Sequence, residues 1–585
     1  MKSIYRILSL SCIVICFASC ADLIEPLNDN HNTFERVYKD PAYAEGLLIN
    51  AYTKLPTATY SFNDIATDDA VSNVKSNTYL KMATGEWTAL QNPMSIWNNA
   101  NEAILYLNLF IPAISEIKWA NEENNQKMFE KRMLGEAYAL RGIFRYYLLQ
   151  SIAGKSSTGE MLGIPLFDNF LNSTDNFNLV RADFTSSIQA INSDLDIAIS
   201  NLPLDFLDIT AQNLPQEYAN VALADYNKIF GSVNNQRANK RIALAFKAKA
   251  ALLAASPAFN ESNSATLWEK AANENATLLN LIGGVTGLDP TGHLFYQGDK
   301  VDAVAVENDK KEIVWRTRAN GLSSSLEKKV FPPSLNGNGD INPTQNLVDA
   351  FPTKSGYPIN NATSGYNAQD PYKNRDPRLT AFILFNGSTI QSKTIRTSKG
   401  NSVDAKDSLT ISSRTGYYLR KLIREDVIFS SSGSATTKKH YNTHVRYTEL
   451  FLNYAEAANE AWGPTGLGSF AAYTSKDVIA AIRKRAGISQ PDNYLSSIST
   501  KEDMRTLIRN ERRIELCFEG FRFWDLRRWG LSLNETATGI NISKDNLVYS
   551  TVEVEKRLYK PYMQFGPLPY NEVINFSSLK QNEGW

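Results

Sequence analysis

The sequence predicts a mainly α-helical protein. Helix pairs support a large loop-rich region that carries a few short strands. Three observations predict it. Between residues 93 and 256, apolar residues recur at spacings of three and four, the period of one helix face. Over residues 283–439 that period disappears, and Gly, Pro, Asn and Ser dominate. The period returns over residues 446–462, with Leu450, Tyr454, Ala457 and Ala461 on one side.

The elements follow in order. Asp40-Pro41 starts a helix that runs to about Leu55, since a proline in the first turn forfeits no hydrogen bond. Residues 65–77 are polar and read as a loop holding Asp68 and Asp69. Pro93 opens the next helix, with Trp97, Ala100, Ile104, Leu107 and Ile111 on its stripe. A longer helix carries Phe129, Met133, Ala137, Leu140, Phe144 and Tyr147. A break over 154–165 precedes a helix with Ile188, Ile191, Leu195, Ala198 and Leu202, which ends at Pro203. Residues 241–256 are Ala-rich and stop before Pro257, where the proline ring disfavours helical backbone at the residue ahead of it. Such pairs resemble tetratricopeptide helix hairpins, although no regular repeat period is present. In the irregular region, residues 312–318 and 416–423 read as short strands. Residues 336–340, NGNGD, have the look of a calcium loop without its distal Glu, and read as two turns. An irregular stretch this long inside a folded protein usually carries function. The expected organisation is a leader over 1–19, a helical part over 20–282 and a C-terminal part over 283–585. The last divides into a loop-rich 283–439 and a helical 440–585.

Composition removes some function classes. Lys plus Arg is 61 and Asp plus Glu is 61, so no basic excess exists to neutralise phosphates, and no nucleic-acid partner is expected. Aromatic residues make up 11% of the chain, more than a plain helical core needs. Tyr and Trp combine an apolar face with a polar tip, which suits wet binding surfaces. At the N-terminus, Lys2 and Arg6 flank an apolar run over 7–17 that is too short to span a bilayer. Phe17-Ala18-Ser19-Cys20 follows and resembles a bacterial lipobox, with cleavage before Cys20 and acylation on it; an ordinary secretory leader is the other reading. Cleavage would remove Cys12 and Cys16 and leave Cys517 without a disulfide partner.

No catalytic constellation emerges. His440 and His444 are four apart, but no Glu lies between them. GxSxG, a phosphate-cradling Gly loop and paired CxxC are all absent from the sequence. No metal or cofactor is expected. Sugar binding needs other parts: an aromatic face for C–H groups, and amides or carboxylates at its rim for hydroxyls. Trp97 is the first candidate, with Asn101 one helical turn on. Its place on the apolar stripe leaves core packing as the alternative.

Residues 510–530, NERRIELCFEGFRFWDLRRWG, interleave five Arg and four carboxylates with Phe and Trp. Two readings are open. One is a surface helix whose ion pairs stabilise by only ~0.3–0.5 kcal/mol each. The other is a semi-buried network with Arg stems lying over rings. Gly520 argues against one uninterrupted helix. The expectation is a helix through about Phe518, a Gly-marked turn, and a second element carrying Trp524 and Trp529.

That stretch is similar to the C-terminal signature of the SusD/RagB family. The matching residues are Glu511, Arg512, Arg513, Glu515, Leu516, Phe518, Glu519, Gly520, Arg522, Asp525, Leu526, Arg528 and Trp529. Asp376-Pro377-Arg378-Leu379, Gly416 to Lys421, Arg446-Tyr447-Thr448-Glu449 and Arg483-Lys484-Arg485-Ala486-Gly487 resemble other family segments. The resemblance implies a lipoprotein anchored through Cys20 on the outer membrane, facing the cell exterior. It implies non-catalytic capture of a nutrient, usually a glycan, and delivery to a SusC-like TonB-dependent transporter. The family's starch-binding member builds an aromatic arc. By position this implies Asp69 beside Trp97 and Asn101, with Tyr296 and Trp315 contributed by the irregular region; core packing is the other reading for both rings. The same architecture binding peptides, a glycan-active enzyme with an unrecognised carboxylate pair, and a lid without ligand stand as alternatives.

Overall fold

A computed structural model describes residues 35–57, 59–304, 311–319, 321–400, 402–430 and 433–585. The leader and Cys20 lie outside the described residues. The fold is mainly helical, with short two-stranded pairings and one three-stranded sheet. Asp40 caps the first long helix, Pro41–Thr53, by accepting from the amides of Ala42 and Tyr43 at 3.0 and 3.2 Å. Helices Trp97–Ala113, Glu123–Ile152, Phe184–Asn201, Lys240–Ala255 and Ala265–Asn280 follow. Each packs against the next in the chain. The 123–152 and 184–201 helices approach closely because the former presents glycines. A Cβ at Gly135 would sit 2.5 Å from Leu202, and one at Gly142 3.0 Å from Leu195. The array continues through Tyr447–Trp462, which packs on Ala265–Asn280.

Two boundaries differ from expectation, each for a local reason. The helix expected from Pro93 begins at Trp97. The Asn92 side chain accepts from Trp87 Nε1 and from the Met94 amide, both at 3.0 Å, and its carbonyl accepts from the Ser95 amide, so residues 92–95 form a turn. The loop expected over 65–77 contains a strand, Ala70–Ser72, paired antiparallel with Ile341–Pro343.

The irregular region is not a surface appendage. Ile313–Arg316 pairs with Thr443–Arg446, and Tyr418–Leu419 pairs with Ile383–Leu384. Positive φ at Asn336 and Gly339 places turns within 336–340. Phe331, Phe351, Phe382, Tyr417 and Tyr418 form a second core that Phe62 and Ile65 also enter. This arrangement internalises rings that composition alone suggests are surface-active.

Residues 510–530 form a buried charged network, which decides between the two readings. Helix Lys501–Glu515 ends earlier than Phe518, because Phe518 and Gly520 both take positive φ, +62° and +84°. Helix Arg522–Arg528 then starts. Arg378 is fully buried and pairs with Asp376, Glu511 and Glu515 at 2.7, 2.5 and 2.9 Å. Arg446 bridges Glu312 and Glu519, both at 2.7 Å. Arg528 holds Glu456 and Asp525. These contacts join helices far apart in sequence, and bidentate guanidinium geometry fixes their relative orientation. Cys517 is buried beneath the turn, and burial pushes its thiol up to about 12, so it stays protonated.

At Gly520 an added Cβ meets nothing closer than 3.5 Å, so the barrier to substitution is the left-handed backbone rather than space. Gly520→Ala is expected to destabilise by about 1–2 kcal/mol, read as a shift in the urea unfolding midpoint. An unchanged midpoint would show that this turn relaxes freely.

Candidate ligand-binding clefts

Two cavities hold aromatic rings beside polar groups. The first lies where the 56–63 segment, the start of the Trp97 helix, the middle of the long helix and the Gly520 turn meet. Its volume is about 290 Å³. Tyr60, Tyr79, Tyr147 and Trp524 supply rings, and Asn63, Asn99 and Gln150 supply amides. Asn63 is 5% exposed and donates from Nδ2 to the Gly520 carbonyl at 3.4 Å. Its Oδ1 has no hydrogen-bond partner among the described residues, whereas the Tyr60 hydroxyl lies beside Thr443 and the Tyr147 hydroxyl beside Thr57. A buried polar atom left unmatched is costly unless water or a ligand satisfies it. Burial raises both phenols above their ordinary range, so they remain protonated donors. Trp524 is half-buried, and the Arg527 guanidinium lies 5.3 Å from its ring centre.

Behind this cleft is a smaller polar chamber of about 100 Å³. The two share Tyr147, Gln150, Thr443, Gly520 and Trp524. Lys249 and Glu449 pair in the chamber wall at 2.8 Å, and Glu449 Oε2 accepts no hydrogen bond among the described residues. His444 also lines it. Burial, reinforced by the nearby Lys249 charge, lowers the imidazole to about 3 and keeps it neutral. His440 instead bonds Glu327 at 2.9 Å, so the two histidines share no ligand. Among the described residues, no group of His, Cys, Asp and Glu is placed to hold a metal ion.

The second cavity, about 250 Å³, contains two of the residues expected from sequence, Trp97 and Asn101. Asn101 Nδ2 donates to the Trp97 carbonyl at 3.0 Å, so only its Oδ1 is left for another partner. Phe167, Phe177 and Phe576 make this groove far more apolar than the first.

The other three expected residues do not join it. Asp69 is fully buried and ion-paired with Arg513 at 2.6 Å. Tyr296 is 7% exposed, donates to the Ala381 carbonyl at 3.1 Å, and packs on Phe295 and Phe382 in the second core. Trp315 is 2% exposed, donates to the Gln236 carbonyl at 2.9 Å, and packs on Phe246 and His444. Their polar tips are spent inside the protein, so the expected five-residue arc is not assembled.

Sequence reasoning missed Tyr60, Asn63, Tyr79 and Tyr147. A faint signal existed for two of them. Residues 57–63, TATYSFN, put rings and an amide in a stretch without helical or strand period, beside the acidic loop.

Comparison with known proteins gives a consistent result. A family model described as the SusD family matches residues 303–585. A second, described as starch-binding associating with outer membrane, matches residues 29–226. No curated protein matches the chain. Among solved structures, a SusD-like protein from Bacteroides fragilis superposes with a TM-score of 0.70 at 22% identity, covering 96% of this chain and 100% of its own. A SusD-like carbohydrate binding protein from the same organism gives 0.69 at 21%, covering 93% and 100%. Surface glycan-binding protein A from Bacteroides fluxus gives 0.57 at 18%, covering 93% and 99%.

Proposed function

Since the chain belongs to the SusD/RagB family, we propose that it captures a nutrient oligosaccharide in the Tyr60–Trp524 cleft and delivers it to a SusC-like TonB-dependent transporter. It is a non-catalytic binding protein of a carbohydrate-binding family described as associating with the outer membrane. Anchoring through Cys20 and an orientation toward the cell exterior belong to the same proposal. No helix among the described residues is long and apolar enough to cross a membrane, which is compatible with attachment by lipid.

The observation that carries the reading is a cleft lined by half-buried rings with amides beside them. A pyranose presents apolar C–H faces and a belt of hydroxyls. Tyr79 and Trp524 offer rings to the former. Asn99 and Gln150, whose side chains reach the surface of the same cleft, offer amides to the latter.

A second reading places the sugar in the Trp97–Asn101 groove, since the two residues do meet there. Calorimetry of the purified full chain against neutral oligosaccharides, with a peptide pool as control, tests both. Trp524→Ala is expected to weaken glycan binding by about tenfold, or 1.4 kcal/mol, and Gln150→Ala by a few-fold, while Trp97→Ala leaves it unchanged. Loss with Trp97→Ala alone would move the site to the apolar groove. Heat on peptides only would replace the glycan with a peptide ligand.

A further inference from the structure

A third cavity lies between the 97–113, 123–152 and 184–201 helices and the segment that follows Pro165, which also lines the Trp97–Asn101 groove. Its volume is about 770 Å³. At its floor two arginines of the long helix, Arg141 and Arg145, are 5% and 3% exposed. One buried carboxylate faces them. Asp194, 2% exposed, accepts from Arg141 at 2.6 and 3.0 Å and from Arg145 at 2.7 Å. Two buried guanidiniums against one buried carboxylate leave one positive charge, which is costly without a counter-ion.

Asp168 supplies that counter-ion. Its Oδ1 lies 2.6 Å from Arg145 and 3.6 Å from Arg141, yet its side chain is 68% exposed. Asp168 belongs to a 15-residue stretch, residues 166–180, without helix or strand. The chain there is held by other bonds. Asn108 Nδ2 donates to the carbonyls of Phe167 and Asn169, and Arg145 donates to that of Phe167. Asp168 is therefore a carboxylate resting on a preformed receptor, not the anchor of its loop. The groove continues past it. Tyr38, Tyr138 and Phe170 line it with rings, and Asn172 and Ser193 add polar groups. The Tyr138 ring lies 4.7 Å from the Arg141 guanidinium, which fixes the fork in place.

We propose that this groove is a second ligand site, for an anionic sugar chain whose uronate carboxylate takes the place of Asp168 on Arg145 and Arg141. Asp194 occupies the paired nitrogens of Arg141. The incoming carboxylate would therefore take the place of Asp168 Oδ1, 2.6 Å from Arg145 Nη2 and 3.6 Å from Arg141 Nη2. The rings beside it suit the C–H faces of the same sugar. A peptide carboxylate is disfavoured, because no strand edge among the described residues lines the groove to pair with a peptide backbone.

Calorimetry with trigalacturonate and trimannuronate on the full chain tests this. The wild type is expected to bind at least one of them weakly, and Asp168→Asn about tenfold more tightly, since the resident carboxylate no longer competes. Misfolding cannot produce such a gain. Arg145→Lys keeps the charge without the fork and should lose the binding, and the methyl esters should not bind either form. Trp524→Ala should leave uronate binding unchanged, which separates this site from the cleft. The proposal falls if neither trimer binds Asp168→Asn, if the esters bind as well as the acids, or if a short peptide acid binds and the uronates do not.

Discussion

Arg378→Met is expected to lower the unfolding free energy by about 3–5 kcal/mol. Arg378 is fully buried and is the shared partner of Asp376, Glu511 and Glu515. Its removal leaves three acids facing one another in a region water does not reach. Arg483 and Arg485 still contact Glu511 and Glu515, at 3.3 and 2.7 Å, so compensation is partial and falls short at Asp376. An exposed pair gives the contrast. Lys127–Glu123, with side chains 62% and 81% exposed, is screened by water, so Lys127→Met should be nearly silent. Urea unfolding of both variants decides the matter. A loss below about 1 kcal/mol for Arg378→Met would mean that the network behaves as surface charge.

Asp64→Asn is expected to change how stability depends on pH. Asp64 is fully buried, and its Oδ1 accepts from the Phe518 amide at 3.0 Å. Burial, then the negative charge of Asp69, raises its carboxyl from 3.8 to about 7. In the unfolded chain the group releases its proton near 3.8. Between those values the folded protein binds a proton that the unfolded chain does not, so this group makes stability fall as pH rises, and the penalty is complete above about 7. Asparagine carries no such charge. The stability of the variant relative to wild type should therefore rise by about 2–4 kcal/mol between pH 4 and pH 8. Using the difference cancels the titrating groups that do not interact with Asp64. Parallel stability profiles for the two proteins would refute the shifted carboxyl.

Much of the fold was legible in the sequence because its cause is local. The stripe from Trp97 to Ile111 announces a helix, and Trp97 and Asn101 do share a groove because one turn separates them. Asp40-Pro41 and Pro257 mark helix ends through backbone sterics alone. The 510–530 stretch showed its density of Arg, acids and rings by composition, with a surface helix and a buried network both open, and Gly520 marked the break.

What only the tertiary structure decided is which polar tips and rings are left without partners. Asp69 reads as a loop acid, but Arg513, 444 residues away, claims it. Trp315 reads from sequence either as an arc ring or as core, and the carbonyl of Gln236 and the ring of Phe246 enclose it. The cleft lies where Asn63 and Gly520, 457 residues apart in the chain, are brought into contact. Periodicity reports which face of an element is apolar. A cavity is the volume that several packed faces fail to fill, and that remainder is set only when all of them are in place.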